Sequence, residues 1–244
     1  MKKVFAKTKN VKNFISLMNN LQNRPAGVPG MALVYGEPGL GKTNSILWWA
    51  TRNDSILISA KNSMTSRWLL EEIVDELGET PMFKTSELFK QAVRQLIDNP
   101  RVIIVDEIDY LAGNQQSIES LRDLHDRTGV PVVMVGMGMA DKKLIRYKHL
   151  FDRISEILKF NSFDLDDVKM IIGQLSEVKI TEEAVEFIHK KANRFRQIVK
   201  LISKAEQIAE ANNLKEIGTA ELEGKINAYI TNQKNCQKAF CFRR

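Results

Sequence analysis

The segment Gly36-Glu-Pro-Gly-Leu-Gly-Lys42-Thr43 fits the pattern G-x-x-x-x-G-K-[ST] in full. Residue types in this order can hold a nucleotide polyphosphate. Glycines let backbone N–H groups turn inward around phosphates, Lys42 is placed to reach the β- and γ-phosphates, and the Thr43 hydroxyl to ligate Mg²⁺. The helix that should begin here adds a favourable dipole. The expected ATP cradle is Gly36, Glu37, Pro38, Gly39, Leu40, Gly41, Lys42, Thr43 and Asn44. A second chemical signal is Val102-Ile-Ile-Val-Asp106-Glu107, an apolar run ending in two acids. Paired carboxylates at the end of a buried strand need a reason. Asp106 is expected to hold Mg²⁺ together with Thr43, and Glu107 to orient and activate the attacking water. A catalytic acid beside the Mg²⁺-binding one favours an NTP hydrolase over a nucleotide kinase.

Such a site needs strands to carry the loop and the acids. Short β-branched runs predict strands over 31–35, 56–59, 102–106, 130–135 and 156–160. Amphipathic patterns between them predict helices over 68–77, 85–98 and 118–128. Alternating strands and helices imply βαβ units and a five-stranded parallel sheet covered on both sides. After Phe160 only helical periodicity remains, with Phe195, Ile198, Leu201, Ile202, Ala205, Ile208 and Ala209 on one face. The expected organisation is a basic N-terminal segment (1–28, with a helix over 11–21), an α/β core (29–162), an α-helical lid (163–231) and a basic tail (232–244).

The 244 residues are 43% hydrophobic and 27% charged, which excludes a wholly disordered chain. No run approaches the ~18 apolar residues of a membrane span, so no membrane association is expected. Cys236 and Cys241 have no histidine beside them and make neither a disulfide framework nor a metal site, in keeping with a reducing cytoplasm. The net charge of +6 is unevenly placed. Residues 1–35 contain no acid, and Lys190, Lys191, Arg194, Arg196, Lys200 and Lys204 lie between Glu186 and Glu206 without one. Such clusters suit an anionic partner. The loop after the second strand carries Lys61, Asn62, Ser63, Thr65, Ser66 and Arg67, side chains that can bind a DNA backbone without reading sequence. The plain alternative is a polar loop with Ser66 capping the next helix. Of Trp48 and Trp49, one is expected in the core and neither is assigned to base stacking.

With these motifs the chain resembles the AAA+ ATPases, and within them the transposition regulators related to the B protein of phage Mu and to TnsC. The resemblance runs from about Thr8 to Tyr229. It is carried by Thr8-Lys-Asn-Val-Lys-Asn-Phe14, the phosphate loop, Val132-Val-Met-Val-Gly136, Leu150-Phe-Asp-Arg-Ile154 and Asn193-Arg-Phe-Arg-Gln-Ile-Val-Lys-Leu201. It implies a P-loop NTPase sheet with an all-α lid, ATP and Mg²⁺ as cofactors, and a bacterial or phage-encoded cytoplasmic protein. Its partners would be double-stranded DNA, tracked by the Lys61–Arg67 loop, a transposase, and copies of itself in a ring or helical filament. Arg153 becomes the arginine that reaches a neighbouring site, with Arg146 and Arg127 as alternatives. Arg196 becomes the lid arginine touching the γ-phosphate, with Arg194 as its rival. Two departures stand out. The strand ending at Val135 should carry a polar residue that senses phosphate, yet Gly136-Met137-Gly138-Met139 follows, so hydrolysis is expected to be slow. No helix-turn-helix domain is expected ahead of the ATPase, unlike the Mu protein. Other readings are a replication initiator or helicase loader, and a nucleotide-switched scaffold with little hydrolysis.

Overall fold

The apolar runs pair into one parallel sheet because each is followed by a crossover long enough to return the chain to the same end. In the computed structural model, which describes residues 1–2 and 4–223, β1 (Met31–Gly36), β2 (Ile56–Ser59), β3 (Ile103–Asp106), β4 (Val132–Gly136) and β5 (Ile154–Phe160) take the order β2-β3-β4-β1-β5. Lys3, the two cysteines, the basic tail and the last part of the expected lid lie outside the described residues. β3 and β4 are buried at every position and β1 at all but Tyr35, as befits strands covered on both faces, whereas β5 alternates at the sheet edge. The strand expected from residue 130 begins at Val132, since Pro131 has no N–H for the ladder. β1 pairs with β4 from Met31↔Val132 to Tyr35↔Gly136, and with β5 from Met31↔Ile154 to Gly36↔Phe160.

The crossovers are α2 (Lys42–Ala50), α3 (Ser66–Glu76), α4 (Thr85–Asp98), α5 (Gln115–Thr128) and the short α6 (Ala140–Leu144) and α7 (Lys148–Phe151). α1 (Lys9–Gln22), read from the sequence as part of a basic N-terminal segment, packs into the same unit, residues 10–161. Its Val11, Phe14, Leu17, Met18 and Leu21 are buried, and Phe14 meets Trp49 edge-on with centroids 6.3 Å apart. Burying a side chain such as Phe14 contributes about 1.5–3 kcal/mol. Trp49 is thus the core tryptophan, while Trp48 lies half-buried under the Arg52 guanidinium, 4.5 Å from its ring centroid. The Asn10 amide joins α1 to the end of β5, donating to the Asn161 carbonyl at 2.8 Å and accepting the Asn161 N–H at 3.1 Å.

Residues 1–9 and the chain from residue 162 form a second unit. It holds α8 (Leu165–Leu175), α9 (Glu182–Lys191) and α10 (Phe195–Ala211), with Asp164 and Thr181 as side-chain N-caps of the first two. The expected face of α10 is buried from Ile198 to Ala209, and Phe195 is half-buried against Phe163 at 6.4 Å. This unit is not purely helical: β6 (Lys179–Ile180) pairs in parallel with β7 (Glu216–Ile217). Two residues per strand are too few to show an alternating pattern. Among the described residues no helix is long and apolar enough to cross a membrane.

Candidate nucleotide site

The phosphate loop leaves β1 at Gly36. A Cβ there would lie 2.7 Å from the Phe160 carbonyl oxygen, so the close approach of β5 demands glycine. Gly39 and Gly41 have φ of +84° and +91°, a left-handed backbone open to glycine that lets successive N–H groups converge. Leu40 between them is buried and anchors the loop, while Glu37, Pro38, Thr43 and Asn44 are exposed along it. The Lys42 ammonium sits inside the curl and donates to the carbonyls of Gly36 (2.6 Å) and Glu37 (3.0 Å). Burial lowers its pKa, and the charges of Asp106, Asp109 and Glu37 oppose that shift.

The sheet order then delivers the acids. β3 lies two places from β1, and the Thr43 hydroxyl donates to Asp106 Oδ2 at 2.8 Å. Asp106 is 4% exposed, and its other oxygen accepts the Glu107 N–H at 2.8 Å. Glu107 has φ 55° and ψ 37° and starts a 3₁₀ turn over Ile108–Tyr110. A left-handed conformation in a non-glycine residue stores roughly 1–3 kcal/mol and is typical of functional sites. A hydroxyl and a carboxylate within hydrogen-bond distance, next to a lysine, make an oxygen pair that suits a hard divalent cation on a phosphate. The residues therefore fit Mg²⁺ and a nucleotide. Thr43 and Asp106 would hold the ion, with the rest of its shell from water and phosphate.

Arg153 is not brought to this site. Its carbonyl accepts the Met31 N–H at 3.2 Å, beside the first residue of β1. Gly36 is five residues further along that strand, about 17 Å away at the usual strand rise. The Arg153 guanidinium, 41% exposed, pairs with Asp126 at 3.0 Å and borders a cavity of about 510 Å³ with Arg24 and His125. His125 is fully engaged there, with Nε2 accepting the Gly30 N–H at 3.1 Å and Nδ1 facing the Val130 carbonyl at 2.8 Å. Of the alternatives, Arg127 lies 5.9 Å from the Phe89 ring centroid and Arg146 is exposed. Arg194 is the N-cap residue of α10 and Arg196 its second residue, both exposed in the second unit.

The loop expected to contact DNA is largely occupied. Lys61 pairs with Glu72 at 2.6 Å and lies 4.8 Å from the Trp68 ring centroid. Arg67 pairs with Glu71 at 2.7 Å and donates to the backbone carbonyl of Phe83. Thr65, not Ser66, caps α3 by accepting the Trp68 N–H at 3.2 Å, and the Ser66 hydroxyl meets that of Ser120 at 3.2 Å. Asn62 and Ser63 are exposed.

Sequence reasoning missed Asp109. Its Oδ2 accepts the Met137 N–H at 2.5 Å and its Oδ1 pairs with Lys143 at 3.0 Å, at the end of β4. The available signal was the third acid in Asp106-Glu-Ile-Asp109 together with two glycines after β4.

The sequence profile of a family described as AAA domain matches residues 26–144, the stretch that carries both motifs. The fold superposes on the Aeropyrum pernix ORC2 protein with a TM-score of 0.72 at 15% identity, covering 92% of this chain and 69% of that one. The chain has the P-loop AAA+ fold. The chain also matches the Thermotoga maritima RuvB Holliday junction branch migration motor, with a TM-score of 0.63 at 18% identity over 92% of this chain and 70% of that one. Among curated proteins it is 29% identical over 181 residues to a potential ATP-binding protein of Staphylococcus aureus, covering 70% of this chain and 62% of that protein. It is 24% identical over 188 residues to replication factor C subunit 1 of Saccharomyces cerevisiae, covering 73% of this chain and 21% of that protein. The chain therefore spans less than two thirds of the length of either curated relative.

Proposed function

We propose that this chain is an ATPase that uses Mg²⁺·ATP to assemble with copies of itself on double-stranded DNA, and that the assembly regulates a transposase. The observation that carries the reading is the contact of Thr43 with Asp106 at 2.8 Å beside Lys42. Lys42 exchanges its loop carbonyls for phosphate oxygens. Thr43 and Asp106 would hold Mg²⁺, which would supply positive charge against the transferred phosphoryl group. Glu107 takes the proton lost by the water that attacks the γ-phosphorus, as the β–γ bridge bond breaks.

Arg153 supports the shared site. Placed at the far end of β1 from its own Lys42, it serves the phosphates of a neighbouring copy, where a permanent, forked charge stabilises the leaving phosphate. Arg196, with Arg194 as rival, contributes the lid's charge. A repeating contact of this head-to-tail kind gives a ring if it closes and a filament if it does not.

DNA association is supported by the acid-free basic stretches and by fold neighbours described as a Holliday junction branch migration motor and as the ORC1 protein of Aeropyrum pernix in complex with DNA. The transposase rests on the sequence segments from Thr8 to Leu201. Similarity to replication factor C subunit 1 favours a second reading, a replication initiator or helicase loader. The apolar end of β4 favours a third, a switch that hydrolyses little. DNA binding measured with ATP, with ADP and with Lys42→Ala tests the proposal. Binding should require ATP and vanish in the variant, whereas equal binding in all three would overturn it. Turnover that stays near zero with DNA present would favour the switch.

A further inference from the structure

The end of β4 stands between the phosphate loop and Asp106, because the sheet runs β3-β4-β1 and Tyr35 pairs with Gly136. None of the four residues from Gly136 to Met139 has a polar side chain. Two carboxylates fill the space that the two glycines leave. A Cβ on Gly136 would lie 2.8 Å from Asp109 Oδ2, and one on Gly138 would collide with Glu37 Oε1. The Asp109 side chain is 6% exposed, and its charge is felt at Lys42. A buried carboxylate beside a phosphate site repels the ligand unless a cation neutralises it. Lys143, 44% exposed and 3.0 Å away, supplies that cation. An ammonium has three donors, so it can keep Asp109 on one and offer another to a phosphate oxygen.

We propose that Asp109 is a positioning residue that holds Lys143 at the end of β4, and that Lys143 reads the γ-phosphate of the bound nucleotide. The pair replaces the polar side chain that β4 lacks. This inference rests on the nucleotide-binding reading of the phosphate loop. A contact made only with the terminal phosphate discriminates ATP from ADP, and a hydrogen bond to a charged group corresponds to about tenfold or more in affinity.

The test is displacement of a fluorescent ADP analogue by ADP and by ATPγS, each with Mg²⁺, from the wild type, Lys143→Met, Lys143→Arg and Asp109→Asn. Lys143→Met should keep its ADP affinity and lose about tenfold in the preference for ATPγS. Lys143→Arg should retain most of the preference, and Asp109→Asn should lose part of it. An unchanged preference in Lys143→Met overturns the inference while leaving the phosphate loop intact. An equal loss for both nucleotides with a lowered melting temperature also overturns it, because Lys143 would then only hold the fold. If neither nucleotide displaces the probe from the wild type, the parent reading fails and the inference falls with it.

Discussion

The Thr43 hydroxyl donates to the Asp106 carboxylate across 2.8 Å, tying the first turn of α2 to the end of a strand two places away in the sheet. These are the two oxygens proposed to hold Mg²⁺ at the phosphate loop. Under the proposed assignment two protein oxygens leave the rest of a six-coordinate shell to phosphate and water. Nucleotide and Mg²⁺ should therefore bind together. Asp106→Asn is expected to lower the Mg²⁺-dependent gain in ATP affinity by about 10–100-fold, while Lys42→Ala abolishes ATP binding. Nucleotide titrations with and without EDTA check this, and a Mg²⁺ effect that survives Asp106→Asn would contradict the assignment.

Glu107 is exposed, next to the buried Asp106, on a left-handed turn. Glu107→Gln keeps the size and removes the proposed base. ATP affinity should stay near that of the wild type, and turnover should fall by roughly 10²–10⁴-fold. Single-turnover hydrolysis decides the matter. Wild-type rates in Glu107→Gln would transfer the role of base to another group.

How much of this could be read in the sequence follows from the range of each interaction. The phosphate loop and Asp106-Glu107 were legible because their chemistry is written in consecutive residues. Helix 85–98 and strand 56–59 were legible to the residue because their apolar periods are clean. The contact of Asp109 with Met137 was not, since it joins the turn after β3 to the end of β4. The charges of Lys61 and Arg67 suggested a phosphate surface, but their partners Glu72 and Glu71 sit on α3, whose orientation no local pattern gives. The placement of Arg153 at the opposite end of β1 from Lys42 is a consequence of register and could not be seen before the sheet was.

The loop gives a sharp test of the DNA reading. Lys61 and Arg67 must leave Glu72 and Glu71 to meet phosphates. If they do, the double substitution to Ala should weaken binding to all DNA sequences alike, flatten the salt dependence by up to about two phosphate contacts, and leave nucleotide affinity unchanged. A salt titration by fluorescence anisotropy checks it. An unaltered slope would take the loop out of the interface and turn attention to the basic residues from Lys190 to Lys200.

Asp164 links capping to acid stability in the second unit. Its carboxylate caps α8 by accepting the Asp167 N–H at 2.9 Å and pairs with Lys9. The Lys9 hydrogen bond, and next the Asp167 N–H, hold this carboxyl below the ordinary carboxylate value. A carboxyl lowered in the folded state stabilises fully above its unfolded pKa and loses that contribution as pH falls through the folded one. Asp164→Ala should thus be less stable than the wild type by about 1 kcal/mol at neutral pH, from the lost cap. The gap should narrow below about pH 4. Urea melts at pH 7 and pH 3 measure it, and a gap as wide at pH 3 as at pH 7 would contradict the assignment.

The proposed nucleotide site is completed between two copies, and subunit mixing tests it most directly. Under the proposal Arg153→Ala keeps its own loop but would spoil the neighbour's site, whereas Lys42→Ala would spoil its own loop and keep the arginine. A mixed interface holds one intact site. Each variant alone should hydrolyse ATP at a small fraction of the wild-type rate, and an equimolar mixture should recover a substantial part of it. A mixture no more active than the two variants apart would contradict a shared site.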